Sequence, residues 1–376
     1  LVARSRKRFR RCDVKNFAIK NKDNLITYGI VIVAYVVLQT LISFGAVSSL
    51  MTGLLVPLCA YIILAVSLNV TVGILGELSL GHAGFMCVGA FTSAFFSKLT
   101  VNVITVGWLR FTLAILVGFL CAGLIGFLIG MPVLRLKGDY LAIVTLAFGE
   151  IIKNVINVLY IGKDSKGLHF SMKDALALNL EESGEVIVNG AQGITGTPKN
   201  SNFTIGVVLI LITLFIVLNL IKSRDGRAVM AIRDNVIAAE SVGINITKYK
   251  LLAFSVSAAL AGVAGVLYSH NLSSLMATPK NFGYNMSIMI LVFVVLGGIG
   301  NIRGSIISAV VLTLLPELLR GLSNFRMLIY AIVLIAMMLF SWSPKAKDFR
   351  DKVVSSVFFW RKKENDMKGG IDNAGK

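Results

Sequence analysis

The chain has 376 residues, 56% hydrophobic and 15% charged, with a mean hydropathy of +0.80. Soluble domains run about 45–50% apolar and about 25% charged, so this surplus exceeds what a core of this length can hide, and lipid must be the solvent. The net charge of +18 gathers at the two ends, where Arg4, Arg6, Lys7, Arg8, Arg10 and Arg11 face Lys345, Lys347, Arg350, Lys352, Arg361, Lys362 and Lys363 across the sequence. Basic flanks of membrane spans account for this better than a nucleic-acid surface, so no nucleic-acid partner is expected.

Residues 1–24 read as a basic cytoplasmic segment. The first apolar run, 25–44, lacks a small-residue cleavage site and is expected to stay as an anchor. A bilayer core of about 30 Å needs roughly 20 apolar residues in a helix. Runs near that length follow at 50–71, 111–131, 139–160, 203–221 and 251–269, with shorter ones at 82–97, 284–300, 305–320 and 326–342. The expected fold is therefore all-α, a polytopic membrane protein of about ten transmembrane helices filling 25–342. With both termini in the cytoplasm, 27 of the 37 basic residues fall in inner segments and nine in outer ones, which favours an even number of crossings. Two connections are long: an outer one, 161–202, and an inner one, 222–250. Residues 343–376 form a second basic cytoplasmic tail, and disorder is expected from Arg361 to Lys376.

Two runs carry small residues at every fourth position, Gly118, Ala122, Gly126 and Gly130 in one and Ala253, Ser257, Ala261, Gly265 and Ser269 in the other. Such stripes let helix backbones approach closely in lipid. Between the second and third runs lies VGILGELSLGHAGF, with glycines at 73, 76, 81 and 84. Glycine at this density weakens a helix by about 1 kcal/mol per residue relative to alanine. Freed backbone groups survive at membrane depth only where protein or a water-filled path satisfies them. The segment reads either as a broken stretch beside a pathway or as a plain cytoplasmic turn, and Glu77, Ser79, Gly81, His82 and Gly84 are its pathway candidates. Glu150 lies eleven residues into the fifth run, roughly 16 Å deep, with Lys153 on the same face. A carboxylate there can line a path or pair with its neighbour, so both residues join the candidates.

The inner segment 222–250 contains an apolar stripe of Val229, Ile232, Val236 and Ala239, with Asp225 as expected N-cap and Gly243 as expected stop. One cytoplasmic helix of about four turns is expected. Its coupling candidates are Arg227, Arg233, Asp234, Ala238, Ala239, Glu240 and Gly243. Cys12, Cys59, Cys87 and Cys121 show no CxxC spacing, and no two histidines have metal-ligand spacing, so neither metal nor cofactor is expected. No nucleophile–base constellation appears, no GxxxxGK[ST] sequence occurs, and Gly162–Lys163 is followed by Asp164 rather than Ser or Thr. No catalytic residue is assigned, and any ATPase must be a separate chain.

The stretches GELSLGHAGFMCVGAF (76–91), LRLKGDYLAIVTLAFGEIIKNV (134–155), GRAVMAIRDNVIAAESVGINITKYKLLAFSVSAALAGVAGVLY (226–268) and LGGIGNIRGSIISA (296–309) closely resemble the branched-chain amino acid ABC-importer permease family, the GDYLAIVTLAFGEI run its LivM-type subunit in particular. Glu77 stands where that family often carries an uncharged residue. The resemblance implies a type II importer-like permease in a bacterial cytoplasmic membrane. It further implies a LivH-type second permease, two cytoplasmic ATPases and an external substrate-binding protein as partners, with leucine, isoleucine and valine as cargo. Urea, short amides or other amino acids are the alternative cargo within the family. Outside it stands an ion-coupled secondary transporter, for which the intramembrane charges are few. The coupling segment resembles the EAA-type loop of bacterial importers at Ala238, Ala239, Glu240 and Gly243, and the run GAQGITGTP (190–198) looks like the family's external loop.

Overall fold

A computed structural model describes residues 22–45, 48–101, 103–136, 138–165, 167–181, 184–319, 328–329 and 331–335. The basic segment 1–21, most of the expected span 326–342 and the tail 343–376 lie outside them. The chain divides into two units, residues 1–313 and 314–376. In the second, the described residues are the end of one long helix and helical positions at 328–329 and 331–335.

The first two apolar runs form α1 (Lys22–Ser43) and α2 (Ser49–Asn69), the latter capped by Ser48, whose hydroxyl accepts from the Met51 amide at 3.4 Å. α2 widens into one π turn, Val70–Leu75, before the chain breaks. α3 (His82–Leu99), α4 (Gly107–Val133) and α5 (Asp139–Asn157) follow. After the long connection at 161–202 come α6 (Phe203–Lys222), the short pair α7 (Arg224–Asp234) and α8 (Val236–Ser241), and then α9 (Ile246–Ser269). A short α10 (Pro279–Phe282) precedes α11 (Tyr284–Gly297) and α12 (Ile302–Leu318).

Among the described residues six helical stretches are long and apolar enough to cross a membrane: Asn24–Ser43, Ser49–Leu75, Gly107–Val133, Phe203–Lys222, Ile246–Ser269 and Pro279–Gly297. The other long helices fall short for visible reasons. α3 carries His82 and Lys98, α5 carries Asp139, Glu150 and Lys153, and α12 has 17 residues.

α9 packs against α2, α3 and α4 and is buried on nearly every side from Ala253 onward. The small-residue stripes are its contact faces. A Cβ on Gly126 would lie 2.4 Å from that of Ala258, and one on Gly262 would lie 2.4 Å from that of Ala122 and 2.7 Å from the Gly118 carbonyl. A Cβ on Gly89 of α3 would lie 2.3 Å from the Gly262 carbonyl. Three helices thus cross at Gly89, Gly118 and Gly262. Lipid tails are as apolar as leucine, so this close van der Waals fit supplies the association.

The all-α expectation needs correction in the outer connection. β1 (Tyr160–Asp164), β2 (Gly167–Ser171) and β3 (Glu185–Asn189) form an antiparallel sheet in the order β2–β1–β3. β4 (Ile194–Thr195) pairs with β5 (Ser274–Leu275). The strands are at most five residues long, below the window that reveals a membrane helix, and β3 buries Ile187 and Val188 at its centre. Gly193 has φ +70°, and a Cβ there would lie 1.9 Å from the Leu275 carbonyl, so the second ladder needs glycine at this point. Lys98 bridges to Glu185 at 2.8 Å and ties α3 to β3.

Candidate functional site

The glycine-dense segment is broken. In the π turn the amides of Gly76 and Glu77 both reach the Thr71 carbonyl. Gly76 then turns left-handed at φ +81°, and residues 77–81 run without regular structure into α3. Protein groups replace the lost ladder: the Leu80 amide donates to Thr145 Oγ1 at 3.0 Å, and the Ala83 amide donates to Ser287 Oγ at 3.2 Å. The segment lies directly on α5. A Cβ on Gly81 would sit 2.3 Å from the Thr145 carbonyl, and one on Gly84 would sit 2.7 Å from the Gly149 Cα. Irregular backbone at such a place requires partners of this kind.

The other candidates of this stretch have distinct neighbours. Glu77 pairs with Lys250 near the start of α9, and both are largely buried. His82 Nε2 lies 2.7 Å from Ser67 Oγ of α2, and Ser257 of α9 donates to the Ser67 carbonyl at 2.6 Å. Ser79 is buried, and its hydroxyl has no partner among the described residues. Ser79, His82, Gly81 and Gly84 therefore face the interior of this chain.

Glu150 uses both carboxylate oxygens. One pairs with the buried Lys153, and the other accepts from the Tyr284 amide at 2.7 Å. Tyr284 is the first residue of α11, so Glu150 caps a helix on another element and places negative charge at the positive end of its dipole. The geometry joins α5 to α11 through one side chain. A cavity of about 310 Å³ between α3, α4, α5 and the outer sheet is lined by Phe91, Thr92, Ile125, Ile152 and Val188 among others. With Thr92 as its polar group it offers no seat for a zwitterion.

The segment 222–250 differs from the single helix expected. Asn235, at φ −158° and ψ 109°, ends α7 and caps α8, its side chain accepting from the Ala238 amide at 3.0 Å. Ser223 is the N-cap of α7, accepting from the Gly226 amide at 3.0 Å, while Asp225 lies in the first turn. Gly243 is the stop: at φ +84° it closes a Schellman motif, with Ile244 N–H on the Ala239 carbonyl and Gly243 N–H on that of Glu240. The break rotates the stripe. Val229, Ile232 and Ala239 are buried, whereas Val236 turns outward. Ile237 is 80% and Val242 74% exposed, and Ala238 and Glu240 are exposed beside them. Arg227 donates to the Lys222 carbonyl at 2.9 Å and stays at the root of α7.

Arg233 makes the contact the sequence did not reveal. Its Nε and one terminal nitrogen grip Asp234 at 3.1 and 2.9 Å. The other terminal nitrogen donates to the Gly73 carbonyl in the π turn at 2.9 Å. Asn69, fully buried at the end of α2, was also missed: its carbonyl oxygen accepts from the Gly300 amide at 2.9 Å, and its amide donates to Ser305 Oγ at 2.8 Å. A lone polar residue closing an apolar run, and the GGIGN turn after α11, were the signals available.

Long apolar helices, a broken and internally satisfied backbone segment, and a short helix pair between two of those helices are the features of a polytopic membrane permease. The family model described as the permease component of the branched-chain amino acid transport system matches residues 50–341, and the chain belongs to that family. It is 35% identical over 294 residues to the high-affinity branched-chain amino acid transport system permease protein LivM of Salmonella typhimurium and 34% identical to that of Escherichia coli, in each case over 76% of this chain and 67% of the relative. It is 24% identical over 257 residues to the permease protein LivH of the same Escherichia coli system, covering 67% of this chain and 79% of the relative. No solved structure matches the chain.

Proposed function

We propose that this chain is the LivM-type permease subunit of an ATP-driven importer of leucine, isoleucine and valine. It works in a bacterial cytoplasmic membrane with a LivH-type second permease, two cytoplasmic ATPases and an external binding protein. Ten crossings place both termini in the cytoplasm, α7 and α8 on the ATPase side and the three-stranded sheet outside.

The observation that carries this reading is the α7–α8 pair. It hangs between α6 and α9, is anchored by Val229, Ile232 and Ala239, and presents Ile237, Ala238 and Val242 outward. A large apolar side chain exposed beside small ones on a short, capped helix suits a groove in a protein partner. An ion-coupled carrier has no use for such a helix. In the test, the two permeases, the ATPases and the binding protein are reconstituted in liposomes and supplied with labelled leucine. Leucine uptake that requires both ATP and the binding protein is expected. Uptake driven by an ion gradient without ATP overturns the reading.

A further inference from the structure

The π turn at residues 70–75 is the meeting point of three parts of the molecule, and nothing in an ordinary apolar helix calls for it. A Cβ on Gly73 would fall 1.9 Å from Asn69 Oδ1 and 2.5 Å from the Gly300 amide nitrogen. The Gly73 carbonyl takes the Arg233 guanidinium at 2.9 Å. A Cβ on Gly76 would fall 2.6 Å from Arg233 Cγ, so the stem of the same side chain lies flat on the left-handed residue that ends the turn. From above, Asn69 holds the turn after α11 through Gly300 and the first turn of α12 through Ser305. One side chain thus clamps the turn from the cytoplasmic helix, and another clamps it from within the bundle.

The turn also leads onward. It runs straight into residues 77–81, which lie on α5 through Leu80, Gly81 and Gly84. α5 in turn caps α11 through Glu150. A π turn holds one residue more than an α turn, so it can pass that residue along the helix, and such turns recur at functional sites. The Arg233–Gly73 bond ties that shift to the position of α7.

We propose that this turn is the joint through which the cytoplasmic pair α7–α8 acts on the membrane helices, with Arg233 and Asn69 as its positioning residues. The proposal rests on the reading of α7–α8 as the ATPase-facing element. A pull on α7 is carried by the charged hydrogen bond to Gly73, and Asn69 divides it between the α2–α3 break and the turn joining α11 to α12. A hydrogen bond from a charged donor is stronger than one between neutral groups, which is enough to bias two arrangements of one turn.

The test uses the complete complex in liposomes, with leucine as substrate probe, and reads leucine moved per ATP hydrolysed. Arg233→Ala and Asn69→Ala should each lower that ratio at least tenfold. The double variant should fall no further than the worse single, because the two act in series. Arg233→Lys, which keeps one cationic donor for Gly73, should recover part of the loss. Arg233 is on a partly exposed helix, so its variants remain informative should Asn69→Ala fold poorly. Ratios within twofold of wild type in the Arg233 variants, or losses that multiply in the double variant, overturn the joint while leaving the importer intact. A wild-type chain that never assembles with an ATPase overturns both.

Discussion

Gly81 and Gly84 show how a single side chain sets the distance between two membrane elements. Both sit where α3 begins, and both leave room only for the backbone of α5 at Thr145 and Gly149. Leucine at either position must push those helices apart, at a cost of about 1–3 kcal/mol for overpacking. Gly81→Leu is expected to abolish leucine uptake and to lower the melting temperature by several degrees. Gly84→Ala, which meets a Cα rather than a carbonyl, should do less of both. Uptake assays beside thermal unfolding in detergent check the pair, and normal uptake by Gly81→Leu would leave the segment a mere linker. That this stretch is irregular was legible from its glycines alone. What each side chain touches was not, because the partners are remote in sequence: Asn69 binds residues 231 and 236 positions away, and Glu77 finds Lys250 173 positions away. Glu150 and Lys153 were the exception, being three apart on one helix.

The α7–α8 pair makes a sharper case for elements. Val229, Ile232, Val236 and Ala239 read as one continuous stripe, and periodicity cannot see that Asn235 interrupts it. An asparagine side chain competes for the backbone and starts a new helix when it is free to cap. The consequence is a choice of faces. Ala239 is buried against its own chain, while Ala238, one residue earlier, is exposed. Ala238→Arg is expected to leave folding within about 0.5 kcal/mol of wild type, as for an ordinary surface site, and to abolish copurification with the ATPase. Ala239→Arg drives an unpaired charge into the seat of α8 and should cost several kcal/mol of stability before any partner is met. Pull-down with tagged ATPase, together with melting curves, separates them. Equal copurification by Ala238→Arg and wild type would remove α8 from the docking surface.

At the scale of the whole molecule, hydropathy and charge carried most of what could be read. The long runs became helices with ends shifted by a few residues, such as α4 at Gly107–Val133 and α9 at Ile246–Ser269. The connection at 161–202 escaped, since its strands are short and hydropathy does not register paired strands, which satisfy the backbone as well as helices do. Orientation can be measured directly. Cysteines placed at Lys173 and Lys199 should react with an impermeant thiol reagent applied to intact cells, and cysteines at Arg224 and Lys248 should not. The reverse pattern would invert the permease, and a mixed pattern would change the number of crossings.

The crossing of α3, α4 and α9 at Gly89, Gly118 and Gly262 has a consequence for motion. The three backbones meet there with little more than the Ala122 methyl and Val266 between them, so these helices are expected to move together as a fulcrum. On the proposed joint, displacement would fall to what side chains hold instead: α5 and α11 through Glu150, and the π turn through Arg233 and Asn69. Residue size would thus set a stationary part against a moving one, and substitutions that add a methyl group at the fulcrum should loosen both at once.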